Sequence, residues 1–407
     1  MTMSNTFRSL RSRNFRLYVA GQLVSTTGTA MQQVGQSWLV YDLARSGTAL
    51  GVNLALQFLP IMLFAAWGGL LADRLDKRRL LIVTQAASGV LAIALWGLVA
   101  SGVVTLFFVH VFAFLLGSVS AVDMPTRQAF VMDMVGREDA SNAVALNSAT
   151  FTSGRLFGPA LAGVVIASLG VGPCFLINGL SFLATILALH GMDRDDLLHI
   201  PRAAPERRQV RAGLRYTWRT PELRTPLLLL AVVGTIGLSF IVVLPLLAED
   251  SFDGGPRLYG VLMSLLGLGS LVGALIAARR QQPTRAVVVG AATGFGVATT
   301  LTALAPSAAV ASVLLVICGV TVMVFLATVN STLQLSSEPT MRGRVMALYG
   351  LVFVGTTPVG GPILGWVAEL WGPRASLALG GMASLGAAAA AAPALLTRRR
   401  LRMETQA

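Results

Sequence analysis

Long apolar runs separated by short polar breaks organise this chain. A helix needs about 20 mostly apolar residues to cross roughly 30 Å of hydrocarbon. Twelve runs qualify: 17–41, 49–72, 80–100, 103–122, 141–169, 172–190, 227–248, 258–278, 286–305, 308–332, 345–370 and 375–396. The connections are short except for 191–226. Within the first run, Gln22, Ser25, Thr29, Gln32 and Gln36 step by three and four residues and so share one helix face. Polar groups facing lipid would lack partners, so this face must meet protein or a water-filled cavity.

Composition agrees with an all-α polytopic membrane protein: 55% of residues are hydrophobic, 12% are charged, and mean hydropathy is +0.72. The net charge of +13 would suggest nucleic acid in a soluble protein, but here the basic residues sit between apolar runs and report topology. Of the 31 Lys and Arg residues, 27 fall in alternate connections and at the two ends, which places both termini in the cytoplasm of a bacterial inner-membrane protein. Arg45, Arg257 and Arg374 lie on the other side, and Arg155 lies within a helix. The basic N-terminus followed by a Gln- and Thr-containing run reads as an uncleaved first helix. Cys174 and Cys318 are placed too far apart to bridge, and without a His cluster they make no metal site; no cofactor is expected.

The chain divides into a first half over 1–190, a linker over 191–226, a second half over 227–396 and a basic tail over 397–407. In the linker, Val210, Leu214 and Trp218 recur every four residues among Arg207, Arg208, Arg211, Arg215 and Arg219, which predicts an amphipathic helix on the anionic inner leaflet. The stretch NAVALNSATFTSGRLFGPALAG at 142–163 echoes RVMALYGLVFVGTTPVGGPILG at 344–365, in the fifth helix of each half. Duplicated halves are a transporter architecture.

After the second helix comes Gly69-Leu70-Leu71-Ala72-Asp73-Arg74-Leu75-Asp76-Lys77-Arg78-Arg79. This stretch resembles the signature between the second and third helices of the major facilitator superfamily, with Asp76 where the family has a second Gly. The resemblance implies a gate latch. Gly69 would allow close helix approach, Asp73 would cap a neighbouring helix N-terminus, and Arg74, Lys77 and Arg78 would hold ion pairs and lipid phosphates. Gly154-Arg155-Leu156-Phe157-Gly158-Pro159-Ala160-Leu161-Ala162-Gly163 in the fifth helix looks like the family's antiporter motif, more frequent in exporters. Its physical content is a tightly packed, kinkable helix around Gly158, Pro159 and Gly163. Together with Asp123-Met124-Pro125-Thr126-Arg127, Asn142-Ala143 and the opening FRSLRSRNFRLYVAGQLVSTTG, these residues are similar to one subgroup, the enterobactin-type siderophore exporters and macrolide-efflux-like proteins, or transmembrane secretion effectors. That implies two pseudo-symmetric six-helix halves, the major facilitator fold, and a monomer.

In that superfamily the first, fourth, seventh and tenth helices line the cavity. Besides the stripe, those helices offer His110 and Phe114; Thr235, Ser239 and Phe240; and Thr321, Phe325 and Thr328, with Gln57 from the second helix. Neutral polar groups mixed with aromatics suit a bulky amphipathic small molecule. Of the 18 acids, 13 fall in cytoplasmic segments and five at outer ends, so none is expected at mid-membrane. Protons as the coupling ion would then use Asp42, Asp123 or His110. Arg155 either attracts an anionic substrate or pairs with Asp123 in the gate, alongside Arg127. The expected function is export of a drug-like compound or siderophore by proton antiport. Uptake of a small metabolite and a membrane sensor are the alternatives. The chain has no HExxH, no nucleotide loop and no CxxC pair, which speaks against an enzyme.

Overall fold

A computed structural model describes residues 8–198, 209–280 and 284–396, and among these every regular element is a helix. In chain order the long helices are α1 (Arg13–Ala44), α2 (Gly47–Arg74), α3 (Lys77–Ala100), α4 (Leu106–Gly136), α5 (Asn142–Leu169) and α6 (Gly172–His190). The short α7 (Gln209–Arg219) precedes α8 (Pro221–Ser251), α9 (Gly255–Arg279), α10 (Arg285–Ala303), α11 (Ala308–Ser336), α12 (342–371) and α13 (373–396). Ten stretches are long and apolar enough to cross a membrane, the last of them running through both α12 and α13. At 32 residues α1 is long enough too, and its Gln, Ser and Thr content keeps it out of that set.

Most boundaries match the hydropathy runs, and the ends are set by local chemistry. Ser12 caps α1, its hydroxyl accepting from the Phe15 N–H at 3.3 Å. Asp76 caps α3 by accepting from the Arg79 N–H at 2.7 Å. The residue that departs from the family signature is therefore a helix cap. Between α4 and α5 the chain turns at Gly136, whose φ of 73° suits glycine and little else. Gly372, with φ 83°, separates α12 from α13 in the same way.

One boundary differs in a way that matters. The fourth helix runs on to Gly136, well beyond the expected end near 122. Asp123 therefore lies within a helix, about 20 Å from that helix's C-terminus at 1.5 Å per residue. The expectation that Asp123 falls in a cytoplasmic connection after the fourth helix is corrected here. The linker is also shorter than expected, since α8 starts at Pro221.

The chain forms two compact units. The first comprises residues 1–45 and 56–203, and the second 46–55 and 204–407. In the first unit, Gly21, Gly28 and Gly35 put the backbone of α1 against α6. A Cβ on Gly28 would lie 2.7 Å from Asn178 Oδ1. Gly154 and Gly158 of α5 meet α1 at Thr26 and Ala30. Phe15, Tyr18, Leu81, Phe130, Val131, Met134, Ala143, Leu189 and Met192 form a buried cluster near the basic ends of these helices.

The second unit contains two π-helical turns in α8, at Val233–Gly237 and Leu247–Ser251. On α7, Gly213 and Thr217 are buried while Leu214 and Trp218 are exposed. Arg207, Arg208, the side chains of Val210 and Arg211, and the tail 397–407 lie outside the described residues.

Candidate functional site

The latch stretch and the C-terminal half of α4 build one polar network in the first unit. Lys77 Nζ lies 2.6 Å from Asp133 Oδ2, both side chains being largely buried. Arg78 donates to the carbonyls of Leu189 and His190 at 2.5 and 2.9 Å, tying α3 to the end of α6. The backbone N–H of Leu198 donates to the Asp133 carbonyl at 2.8 Å. Asn14 exchanges two hydrogen bonds with the backbone of Asp193, and the Ser12 hydroxyl donates to the Met134 carbonyl. Arg8 pairs with Asp139. Asp73 and Arg74 are exposed beside this network.

Two turns deeper along α3 the network centres on Asp123. Its Oδ1 accepts from Thr84 Oγ1 at 2.7 Å and from Gln85 Nε2 at 2.9 Å. Its Oδ2 accepts from Arg127 Nε at 2.9 Å and Nη2 at 2.5 Å. The i,i+4 spacing puts Asp123 and Arg127 on one face of α4, and their side chains are 11% and 12% exposed. Thr84, Gln85 and Asp133 carry no family signature. The signal that finds them is the polar i,i+1 pair of α3 in an apolar run, and a second acid ten residues beyond Asp123.

The expected role of Gly69 is corrected, since a Cβ there would meet nothing within 4 Å. The close approach belongs to Gly68, where a Cβ would overlap the carbonyl of Ala121 on α4. The helix face turned toward α4 is simply one residue earlier.

The polar stripe of α1 is also placed differently from a cavity wall. Gln22, Ser25, Gln32 and Gln36 are buried, and Thr29 is half-buried. Gln32 Oε1 accepts from Asn178 Nδ2 of α6 at 2.7 Å, Gln22 Nε2 donates to the Tyr18 hydroxyl at 3.0 Å, and Thr185 Oγ1 donates to the Gly21 carbonyl at 3.1 Å. The stripe is a hydrogen-bonded seam inside the first unit.

Among the other candidates, Ser239, Phe240, Phe325 and Thr328 are buried, and Gln57, His110, Thr235 and Thr321 are half-buried. Only Phe114, at 37%, counts as exposed. Phe240 packs edge-on against Phe295. Thr235 sits in the first π turn and its hydroxyl bonds the Ala231 carbonyl. Thr328 lines a cleft of about 320 Å³ together with Met323, Ser331 and Arg280. Asp42 is exposed with Arg45 3.9 Å away, a geometry worth little.

Arg155 does not pair with Asp123, whose oxygens are taken by Thr84, Gln85 and Arg127. It is exposed, and among the described residues it makes no ion pair or hydrogen bond. Gly158, Pro159 and Gly163 are buried, with Gly158 pressed on Ala30 of α1.

A family model described as transmembrane secretion effector matches residues 4–406. The staphyloferrin A transporter of Staphylococcus aureus is 28% identical over 251 residues, 61% of this chain and 63% of that protein, so the match spans less than two thirds of that relative. The multidrug efflux pump Tap of Mycolicibacterium fortuitum is 28% identical over 385 residues, 88% of this chain and 90% of the pump. The fold is similar to that of a bacterial homologue of the human lysosomal transporter Spinster, in an inward-facing and occupied conformation. The TM-score is 0.72 and the identity 13%, covering 96% of this chain and 97% of that one.

Proposed function

Because this chain belongs to the transmembrane secretion effector family of the major facilitator superfamily, a family of transporters and not enzymes, we propose that it exports a bulky amphipathic solute from the cytoplasm by proton antiport. A drug-like compound or a siderophore fits that description. The observation that carries the reading is the α1–α5 seam. Gly154 and Gly158 bring two backbones into contact and Pro159 leaves a backbone carbonyl free, which supports a close-packed but kinkable α1–α5 seam of the kind an antiporter gate would use. The two units and the repeat between 142–163 and 344–365 support two pseudo-symmetric six-helix halves working by alternating access. The basic residues between helices support cytoplasmic termini in a bacterial inner membrane.

In this reading Lys77, Arg78 and Asp133 hold the ends of α3, α4 and α6 as one block. Asp73 and Arg74 form the exposed part of the latch. Asp123 is the acid best placed for coupling, since it is buried within a helix and a proton on it would compete with Arg127. His110 and Asp42 are secondary candidates. Substrate contact falls to the half-buried and exposed members of the predicted set, led by Phe114, Gln57, Thr235 and Thr321.

Inverted membrane vesicles test the proposal. With an acid-inside gradient, vesicles carrying the protein should accumulate a fluorescent amphipathic dye, and collapsing the gradient should release it. Asp123→Asn should retain dye binding and lose the gradient dependence. Gradient-independent behaviour of correctly folded wild type would refute antiport.

A further inference from the structure

The exposed face of α5 changes side along its length. In the half nearer Asn142, Val144, Ser148, Phe151 and Arg155 are exposed, and their spacing of four, three and four places them on one face. In the other half the large exposed side chains are Phe157, Leu161 and Val164, on a face turned by about 200° from the first at 100° per residue. Four exposed alanines, Ala145, Ala149, Ala160 and Ala167, lie between. The second face is apolar over Phe157, Leu161 and Val164, as lipid contact requires, and the exposed Ser168 one turn on returns its hydroxyl to the Val164 carbonyl at 2.8 Å. The first carries a hydroxyl and a guanidinium. It ends abruptly, because Gly158, Pro159 and Ala162, its continuation, are buried, with Gly158 against Ala30 and the Thr27 carbonyl.

Arg155 stands just before that closure, about 20 Å from either end of α5. A guanidinium at that depth facing hydrocarbon is heavily penalised, and one facing protein needs a carboxylate. The Arg155 side chain reaches an accessible surface while surrounded by protein, and it has no acidic partner among the described residues. Exposure of a guanidinium at that depth fits a surface turned to water, and its flanks are apolar. Phe151 lies one turn away, with the Arg127 guanidinium 6.0 Å from its ring centre, and Leu23 and Val24 are exposed on α1, which crosses α5 at Gly154. Arg127 is itself neutralised by Asp123, so the unbalanced positive charge is that of Arg155.

We propose that Arg155 is the recognition residue for an organic anion, a carboxylate, sulfonate or phenolate on an amphipathic body, with the anionic group on the guanidinium and the apolar body against Phe151. This rests on the export reading for its biological setting and on the geometry of α5 for its chemistry.

Two xanthene dyes of like size and opposite charge, fluorescein and rhodamine 123, test it by fluorescence anisotropy on the purified full chain in detergent. Wild type should bind fluorescein more tightly than rhodamine 123. Arg155→Gln should weaken fluorescein at least about tenfold, the order of one charge-assisted pair, and leave rhodamine 123 unchanged. Arg155→Lys should retain most of the affinity. Benzenesulfonate should displace fluorescein from wild type where benzyl alcohol does not, a measurement that needs no variant. Tighter binding of rhodamine 123 by wild type, equal displacement by both competitors, or unchanged fluorescein affinity in folded Arg155→Gln would each overturn the anion site. The export reading fails separately. Arg155-dependent fluorescein binding without gradient-driven accumulation in vesicles would refute antiport and leave the site standing.

Discussion

A double-mutant cycle on Asp123 and Arg127 probes the centre of the polar network. Replacing Asp123 by Ala strips the acceptor from four hydrogen bonds, two from Arg127 and one each from Thr84 and Gln85. The Arg127 side chain, only 12% exposed, is left as an uncompensated charge, a situation that costs about 3–5 kcal/mol. Arg127→Ala should cost less, about 2–3 kcal/mol, because Asp123 keeps its bonds from Thr84 and Gln85. The double variant loses both charges together and should be no worse than Asp123→Ala alone. The coupling energy is then about 2 kcal/mol or more, roughly a thirtyfold effect on the folding equilibrium. Side-chain hydrogen bonds inside membranes average only about 0.6 kcal/mol, so the excess reports the buried charge. Reversible unfolding in mixed micelles of mild detergent and dodecyl sulfate, followed by tryptophan fluorescence, gives the three free-energy differences. Additive effects within about 0.5 kcal/mol would refute the view that this pair is desolvated and mutually dependent.

Three further perturbations separate structural roles. Gly68→Ala should lower the midpoint of thermal unfolding, because the new Cβ overlaps the Ala121 carbonyl, whereas Gly69→Ala should be neutral; equal effects would contradict the α2–α4 crossing. Asp76→Ala should destabilise by about 1 kcal/mol through loss of the α3 cap, and Asp76→Asn should largely restore it, as read from the same unfolding curves. Gln32→Leu orphans the Asn178 amide and should cost about 1 kcal/mol while lowering transport of chemically different dyes in equal proportion. A selective change for one dye would return Gln32 to the binding surface.

The helices were legible in the sequence because the bilayer imposes one length and one chemistry, and ends such as Lys77 or His190 fell within a few residues of the expected bounds. The fourth helix escaped that logic. Its last turns carry Asp123, Arg127 and Asp133, which end an apolar run on paper, but Arg127 and Lys77 neutralise them and the backbone continues. For α1 the polar face could be read and its partner could not, since a period says which residues share a side and nothing about what covers it. The matching signal was Asn178, Ser181 and Thr185 on α6, a second polar row that meets the first. Similarly, Arg155 could be placed at mid-helix, but its separation from Asp123 follows only from the rotation of α5 against α4.

The seam between α1 and α6 also bears on how the chain is made. A nascent first segment carrying Gln22, Gln32 and Gln36 partitions into lipid poorly, because each amide adds to the cost of leaving water. Its main cross-helix partner, Asn178, emerges from the ribosome 146 residues after Gln32. During that interval α1 depends on shelter at the insertion machinery or on a shallow position at the interface, and the first unit gains its final order only when the sixth helix arrives to close the seam.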